Sequence, residues 1–382
     1  MKHPLTHAQL KILAANVARL SKLLTRERAS RPAAYLKDKG LREAYEAYYL
    51  PLNLRKIMMP LAELDLRSEN LLGDDVFRIL DLGCGPGTAP LGVLEFFAAA
   101  KKRRRLAVTA VDQVDDNLKM AEESFAAFKS RGNLDVTLNT IRSTIEQMRC
   151  LPETTYDLII FSNVLNETFS HDEARIVRRI NLVTEYLKRY LADDGSCIII
   201  EPALRETSRE LIAVRDGLLQ QGFHIYAPCF FHAECPALAN PKDWCHEDLA
   251  WDPPAMIQEL DNLTGLRKGS LKFSYLILRK DSRSLAGLYG AHAFRIVSEP
   301  LVSKGKIEFY LCGEAGRRLI TRLDKDLTAR NRRFGGLQRG DVVSLEQFID
   351  EGKRYKVGRE TRVQCLWTAA GCLTLNNKPE SI

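Results

Sequence analysis

Apolar residues at Leu10, Leu13, Val17, Leu20 and Leu24 recur at spacings of three and four, the stripe of an amphipathic helix. Residues 1 to about 73 read as helices, with Ala44–Tyr49 running on to Pro51 and Leu54–Leu72 resuming the pattern. Short apolar runs then take over, at Phe77–Leu80, Leu106–Val111, Val136–Asn139, Leu158–Phe161 and Ser196–Glu201. Helical stretches starting near Thr88, Asp116, Ser143, Asp172 and Glu206 lie between or beyond them. Strand, helix, strand at this rhythm predicts a doubly wound parallel sheet, an α/β fold. Past Gln221, two further strand candidates, Phe223–Ala227 and Leu271–Arg279, bracket a polar insertion from Pro228 to Ser270. A loop of that length inside a compact domain is usually functional or a small domain of its own. Beyond Asp281 the pieces Ala293–Val297, Lys306–Leu311, Leu319–Leu323 and Val342–Leu345 predict a small β-rich, barrel-like module. The expected division is an N-terminal helical region (1–73), an α/β domain (74–280) with the insertion at 228–270, and a C-terminal module (281–382).

Composition adjusts this picture only slightly. With 382 residues, 45% hydrophobic and 27% charged, the chain has the make-up of a globular protein. No apolar run approaches the roughly 18 residues of a membrane span, so no membrane association is expected. The net charge, 56 − 49 = +7, permits a polyanionic partner without demanding one. The N-terminus lacks the apolar core of a secretory signal. It has no acidic residue before Glu27, as in organellar transit peptides, but its regular stripe favours a structural helix. Nine cysteines, an odd count, argue against a disulfide framework and for a reducing compartment. Cys84, Cys150 and Cys197 lie in or beside apolar elements and read as core thiols.

The segment Arg78-Ile79-Leu80-Asp81-Leu82-Gly83-Cys84-Gly85-Pro86-Gly87-Thr88 reads as strand, glycine turn and helix. Glycines let the backbone approach a ligand, and the helix start offers free N–H groups. The next strand ends in Asp112, an acid placed to grip a ribose diol. The form Asp-x-Gly-x-Gly-x-Gly resembles the S-adenosylmethionine loop of class I methyltransferases rather than the Gly-x-Gly-x-x-Gly of dehydrogenases. That resemblance implies that Asp81, Gly83, Gly85 and Gly87 line the methionine end of the cofactor and Asp112 its ribose. It also implies an antiparallel final pair of strands, here Phe223–Ala227 and Leu271–Arg279, with the insertion in their connection.

Transferred groups in such a fold lie beyond the carboxyl end of the fourth strand, here Ser162-Asn163-Val164-Leu165-Asn166-Glu167. Asn163 joins the expected cofactor-binding set, its alternative role being a turn or helix cap. The Asn/Asp-Pro-Pro-aromatic turn of exocyclic-amine methyltransferases is not present here, which counts against base N-methylation. Pro228-Cys229 has the dipeptide of RNA cytosine C5-methyltransferase nucleophiles, but it follows the sixth strand rather than the fourth. No catalytic residue is assigned.

Cys229, Cys235 and Cys245 crowd the insertion, in Ala227-Pro228-Cys229-Phe230-Phe231-His232-Ala233-Glu234-Cys235-Pro236 and Asp243-Trp244-Cys245-His246. Thiols at this density outside a disulfide framework are metal-ligand candidates. A fourth ligand must come from elsewhere: Cys312, in Tyr310-Leu311-Cys312-Gly313-Glu314, is preferred over Cys365 and Cys372. Four thiolates suit zinc or an iron–sulfur cluster. The short Cys-x2-4-Cys knuckles of structural zinc sites are missing.

Together the glycine loop, the turn Ile198-Ile199-Ile200-Glu201-Pro202, the cysteine stretch and Leu311-Cys312-Gly313-Glu314 resemble a methyltransferase-like family. That family assists assembly of the mitochondrial small ribosomal subunit and has bacterial relatives. The resemblance covers most of residues 40–345. It implies a [4Fe-4S] cluster on Cys229, Cys235, Cys245 and Cys312, with zinc as the alternative, and small-subunit rRNA or the assembling subunit as partner. It leaves open whether the chain transfers methyl groups or is a non-catalytic assembly factor. A zinc-stabilised methyltransferase of another substrate is the third option. A monomer in bacterial cytoplasm is expected, or alternatively in the mitochondrial matrix. Two basic sets are candidates for contact with RNA: Lys101–Arg105, and Arg317, Arg318, Arg322, Lys325, Arg330, Arg332 and Arg333 with Phe334.

Overall fold

The computed structural model describes residues 5–27, 32, 34–65, 76–100, 105–130, 134–147 and 151–373. The first helix, α1 (His7–Thr25), opens with a capping box between Thr6 and Gln9 and buries Leu10, Leu13, Val17 and Leu20. The apolar stripe thus becomes the face packed inward. Helices α2 (Lys39–Ala44), α3 (Leu50–Lys56) and α4 (Met58–Asp65) follow, with a π-helical turn, Tyr45–Tyr49, between α2 and α3.

The central sheet uses β1 (Phe77–Leu82), α5 (Thr88–Ala99), β2 (Leu106–Asp112), α6 (Asp115–Lys129), β3 (Val136–Arg142), β4 (Tyr156–Ser162), α7 (Arg175–Tyr190), β5 (Leu191–Pro202), α8 (Arg205–Gln220) and β6 (His224–Ala227). The insertion supplies β7 (Glu247–Ala250) and α9 (Ala255–Thr264) before β8 (Ser270–Arg279) returns. Strand order is β3-β2-β1-β4-β5-β8-β6, with β7 extending β8. The β3-β2-β1-β4-β5 ladder is parallel, and β8 runs antiparallel to both β5 and β6. This is the class I methyltransferase fold. Its crevice lies between β1 and β4, where the strand order reverses. Both sheet faces are covered, which is why β1, β2 and β4 read as nearly continuous apolar runs.

Among the described residues 143–147, the helix expected near Ser143 does not form. Ser143 Oγ donates to the carbonyls of Thr144 (3.1 Å) and Gln147 (3.4 Å), so a local side-chain turn replaces it. The Asp172 helix starts at Arg175, and Asp172 Oδ1 accepts from Ala174 N ahead of it.

Beyond α10 (Leu285–Tyr289) a second sheet forms from β9 (Ala293–Ile296), β10 (Leu301–Ser303), β11 (Lys306–Gly313), β12 (Gly316–Leu323), β13 (Val342–Glu346), β14 (Ile349–Asp350), β15 (Arg354–Val357) and β16 (Arg362–Trp367). Its order is β14-β15-β12-β11-β9-β13-β16, with β10 on β11. Along β11, Ile307, Phe309 and Leu311 point into this sheet's own core. The two-residue period therefore sends Cys312 to the opposite side.

One buried ionic cluster joins all the parts. Arg295 on β9 pairs with Glu63 on α4, and Tyr275 on β8 donates to Glu63 at 2.7 Å. Glu247 on β7 lies beside them, 4% exposed, and one of its carboxylate oxygens has no partner. Burial pushes the Glu247 carboxyl up to about 7, although Arg295 and Arg339 pull it back.

Candidate functional site

The glycine loop leaves β1 with three residues in the left-handed region: Gly83 (φ +74°), Gly85 (+52°) and Gly87 (+77°). That conformation costs an L-residue roughly 1–2 kcal/mol, which is why glycine stands at these positions. A Cβ on Gly83 would lie 2.4 Å from Val164, so the exit of β4 rests against the loop. A Cβ on Gly85 would meet nothing within 4 Å. The loop is therefore packed on one side and open on the other.

Asp81 lies beneath the loop, fully buried, and neither of its carboxylate oxygens has a partner. Burial, with Asp112 nearby, raises its pKa well above the usual carboxylate range. Such a group is stabilised by a cationic ligand. Asp112 ends β2; one oxygen accepts from Gly85 N at 2.9 Å, the other from Val114 N (2.9 Å) and Asn117 Nδ2 (3.1 Å). It faces the loop, and its oxygens are already holding the loop in shape.

Asn163 takes a left-handed conformation, φ +56°. Its N–H donates to the Ile200 carbonyl (2.7 Å) and its Nδ2 to Ser162 Oγ (3.3 Å). The Asn166 side chain donates to buried Glu201, and Arg179 holds the carbonyls of Asn166 and Thr168 at 3.1 Å each. The exit of β4 is thus braced from β5 and α7.

The thiols form a second site, where the insertion meets the second sheet. Cys229, Cys235, Cys245 and Cys312 all line one cavity of about 60 Å³, several times the space one water needs. Ser208, Arg215, Glu247 and Arg295 share its wall. The first three cysteines come from the insertion and the fourth from β11, which the second sheet swings against them. Burial raises the Cys312 pKa, and the neighbouring Cys245, Cys229 and Cys235 raise it further. Cys245 is raised in the same way, and Cys235 is pushed up to about 11 by burial and Cys229. Burial and crowding thus disfavour the ionisation of Cys235, Cys245 and Cys312, a cost that a bound cationic centre removes. No group of three or more His, Cys, Asp or Glu side chains among the described residues is arranged to hold a metal ion. The thiols share a cavity without closing on one point. Cys365 and Cys372 do not line it. Cys229 lines the cavity with the other thiols.

Sequence reasoning missed Arg215. It lies on the α8 stripe between Leu211 and Leu218, all buried, and an arginine at a core-facing helical position is the signal that marked it. Its Nε donates to Cys229 Sγ at 3.3 Å.

The second basic set divides. Arg317 is internal: it sits over the Tyr310 ring and pairs with Asp243 of the insertion. Arg322 is buried against Phe334. Phe334 itself is fully buried against Phe309, so it closes the module's core and cannot stack on a base. Lys325, Arg330, Arg332 and Arg333 are exposed. Of the first set, Lys101 to Arg104 lie outside the described residues. No helix among the described residues is long and apolar enough to cross a membrane.

A family profile described as mitochondrial small ribosomal subunit Rsm22 matches residues 41–367. No curated protein matches the chain. Among solved structures, an rRNA methylase from Streptococcus thermophilus aligns at 12% identity, over 59% of this chain and 93% of its own, with a TM-score of 0.30. An S-adenosylmethionine-dependent methyltransferase from Methanosarcina mazei aligns at 17% identity over 56% and 96%, TM-score 0.29. The CMeT domain of the citrinin polyketide synthase aligns at 12% over 71% and 66%, TM-score 0.38.

Proposed function

The chain belongs to the Rsm22 family of the mitochondrial small ribosomal subunit, and on that premise we propose that it binds S-adenosylmethionine, carries an iron–sulfur cluster and acts on or with small-subunit rRNA during ribosome assembly. The observation that carries this reading is the convergence of Cys229, Cys235, Cys245 and Cys312 on one cavity.

S-adenosylmethionine carries two positive charges at its methionine end. The unpartnered Asp81 carboxylate and the open face of Gly85 fit such a ligand. Asp112 and Asn163 stand at the loop's other borders. The thiol cavity fits a cluster better than zinc. Structural zinc is usually held by short Cys-x2-4-Cys knuckles, and the spacing of Cys229, Cys235 and Cys245 has none. In this role the four thiolates would hold the metal, and the cluster would tie the insertion to the second sheet.

The division into residues 1–73, 74–280 and 281–382 belongs to the same proposal. Its RNA-facing part is the last. Residues 281–382 hold 18 Lys and Arg against 12 Asp and Glu, a net +6 of the chain's +7. The family's mitochondrial description favours the matrix over a bacterial cytoplasm.

A specific observation favours a non-catalytic assembly factor as the second reading. Asn166 and Asn163 are engaged in holding the exit of β4, where a catalytic group would stand. Iron, sulfide and zinc analysis of anaerobically purified protein tests the first reading, with Cys235→Ser alongside. About four irons and four sulfides, lost in the variant, are expected; stoichiometric zinc without sulfide overturns the cluster. Labelled methyl incorporation into immature small subunits separates enzyme from assembly factor.

A further inference from the structure

We propose that Arg215 raises the reduction potential of the group in the thiol cavity by donating a hydrogen bond to the Cys229 sulfur. The inference rests on the iron–sulfur reading above and concerns how that cluster is poised.

Arg215 is 3% exposed at its side chain. Burying a guanidinium is costly unless its N–H groups are met. Two arms are satisfied by backbone oxygen: one donates to Ala233 O at 2.7 Å and the other to Phe231 O at 2.9 Å. The third donor, Nε, points at Cys229 Sγ, 3.3 Å away. A neutral thiol is a weak acceptor. A fully buried charged donor aimed at sulfur is well satisfied only if that sulfur carries negative charge, as a metal-bound thiolate does.

The next residue completes the device. Asp216 pairs with Arg215 and also accepts from Cys235 N at 3.1 Å. Two consecutive residues of α8 therefore hold the loop that bears Cys229 and Cys235, one with positive charge on a sulfur and one with negative charge on a backbone N–H.

Hydrogen bonds to ligating sulfur and net local charge set the potentials of iron–sulfur clusters. Taking up one electron makes a four-thiolate cluster more negative, so a cation donating to a ligand stabilises the reduced state. Loss of Arg215 should lower the potential. Loss of the Asp216 charge should raise it, since the arginine is then less neutralised. A purely structural role for the pair predicts no such opposition of sign.

The test is a one-electron redox titration with dithionite on the full chain, purified with its cluster and read by absorption and electron paramagnetic resonance. Arg215→Gln is expected to shift the reduction equilibrium at least about tenfold toward the oxidised form, 59 mV for one electron. Arg215→Lys should shift it less in the same direction, and Asp216→Asn should shift it the other way. If Arg215→Gln loses its iron, Arg215→Lys and Asp216→Asn decide: opposite signs support the proposal, and equal or absent shifts overturn it. A loaded wild type with unmoved variants overturns the proposal alone. A wild type without iron or sulfide overturns the cluster reading and this proposal together.

Discussion

The glycine loop and the thiol cavity are built over very different spans of chain. Asp81, the three glycines and Asp112 occupy two neighbouring strands and the turn that leaves the first, and backbone geometry alone dictates most of their arrangement. The thiol cavity needs an insertion, a helix upstream of it and a strand of another sheet. In the first site each residue is where local conformation requires it. In the second, Cys312 is useful only because the second sheet docks. A local site should tolerate damage elsewhere, and a convergent site should report on the whole fold.

Cys312→Ser should therefore give the largest effect. On the proposed reading it removes the thiolate that bridges insertion and second sheet, so metal should be lost and stability should fall by more than about 4 kcal/mol, as for other lost metal sites. Metal content and denaturant midpoints check this; a variant that keeps both would dissolve the contrast. Cofactor affinity at the glycine loop should change little.

The charged junction beside the cavity gives the next effect. Glu247 titrates near 7 when folded and at 4.5 in a free chain. Between those values the folded state binds more protons than the unfolded one. Stability is then greatest below 4.5 and lost as pH rises through 7, by about 3 kcal/mol. Glu247→Gln should flatten that slope in denaturant titrations from pH 4 to 8.

Gly85→Ala sharpens the comparison from the other side. Its Cβ meets open space but its φ is +52°, so about 1–2 kcal/mol of strain is expected. S-adenosylmethionine affinity, measured by calorimetry, should fall about tenfold or more while metal content holds. Replacing Arg332 and Arg333 by Ala should leave stability and both sites unchanged. It should weaken RNA binding and reduce the salt slope by about 1.4, the share of two phosphate contacts on a single strand. An unchanged slope would move the RNA contact elsewhere.

Much of this was legible along the chain, and the exceptions have causes. The strands that carry the cofactor loop stand out because burial on both faces leaves continuous apolar runs such as Leu158–Phe161. β7 and α9 escaped notice because they are short pieces within a stretch that reads as loop, and β7 gains its partners only by adding to β8. Phe334 looked like a base-stacking ring beside arginines, yet the same ring caps a hydrophobic core. Composition cannot distinguish these fates, since an aromatic among cations suits either.

The order of elements, the glycine conformations and the alternation that turns Cys312 away from Ile307, Phe309 and Leu311 follow from the amino-acid sequence, because they depend on near neighbours and on the two-residue period of a strand. Tertiary structure alone decided that four distant thiols share a cavity, that Arg215 aims at one of them, and that Arg317 and Arg322 turn inward. Those outcomes depend on how two sheets pack, and packing is selected by the burial of many residues at once rather than by any local pattern.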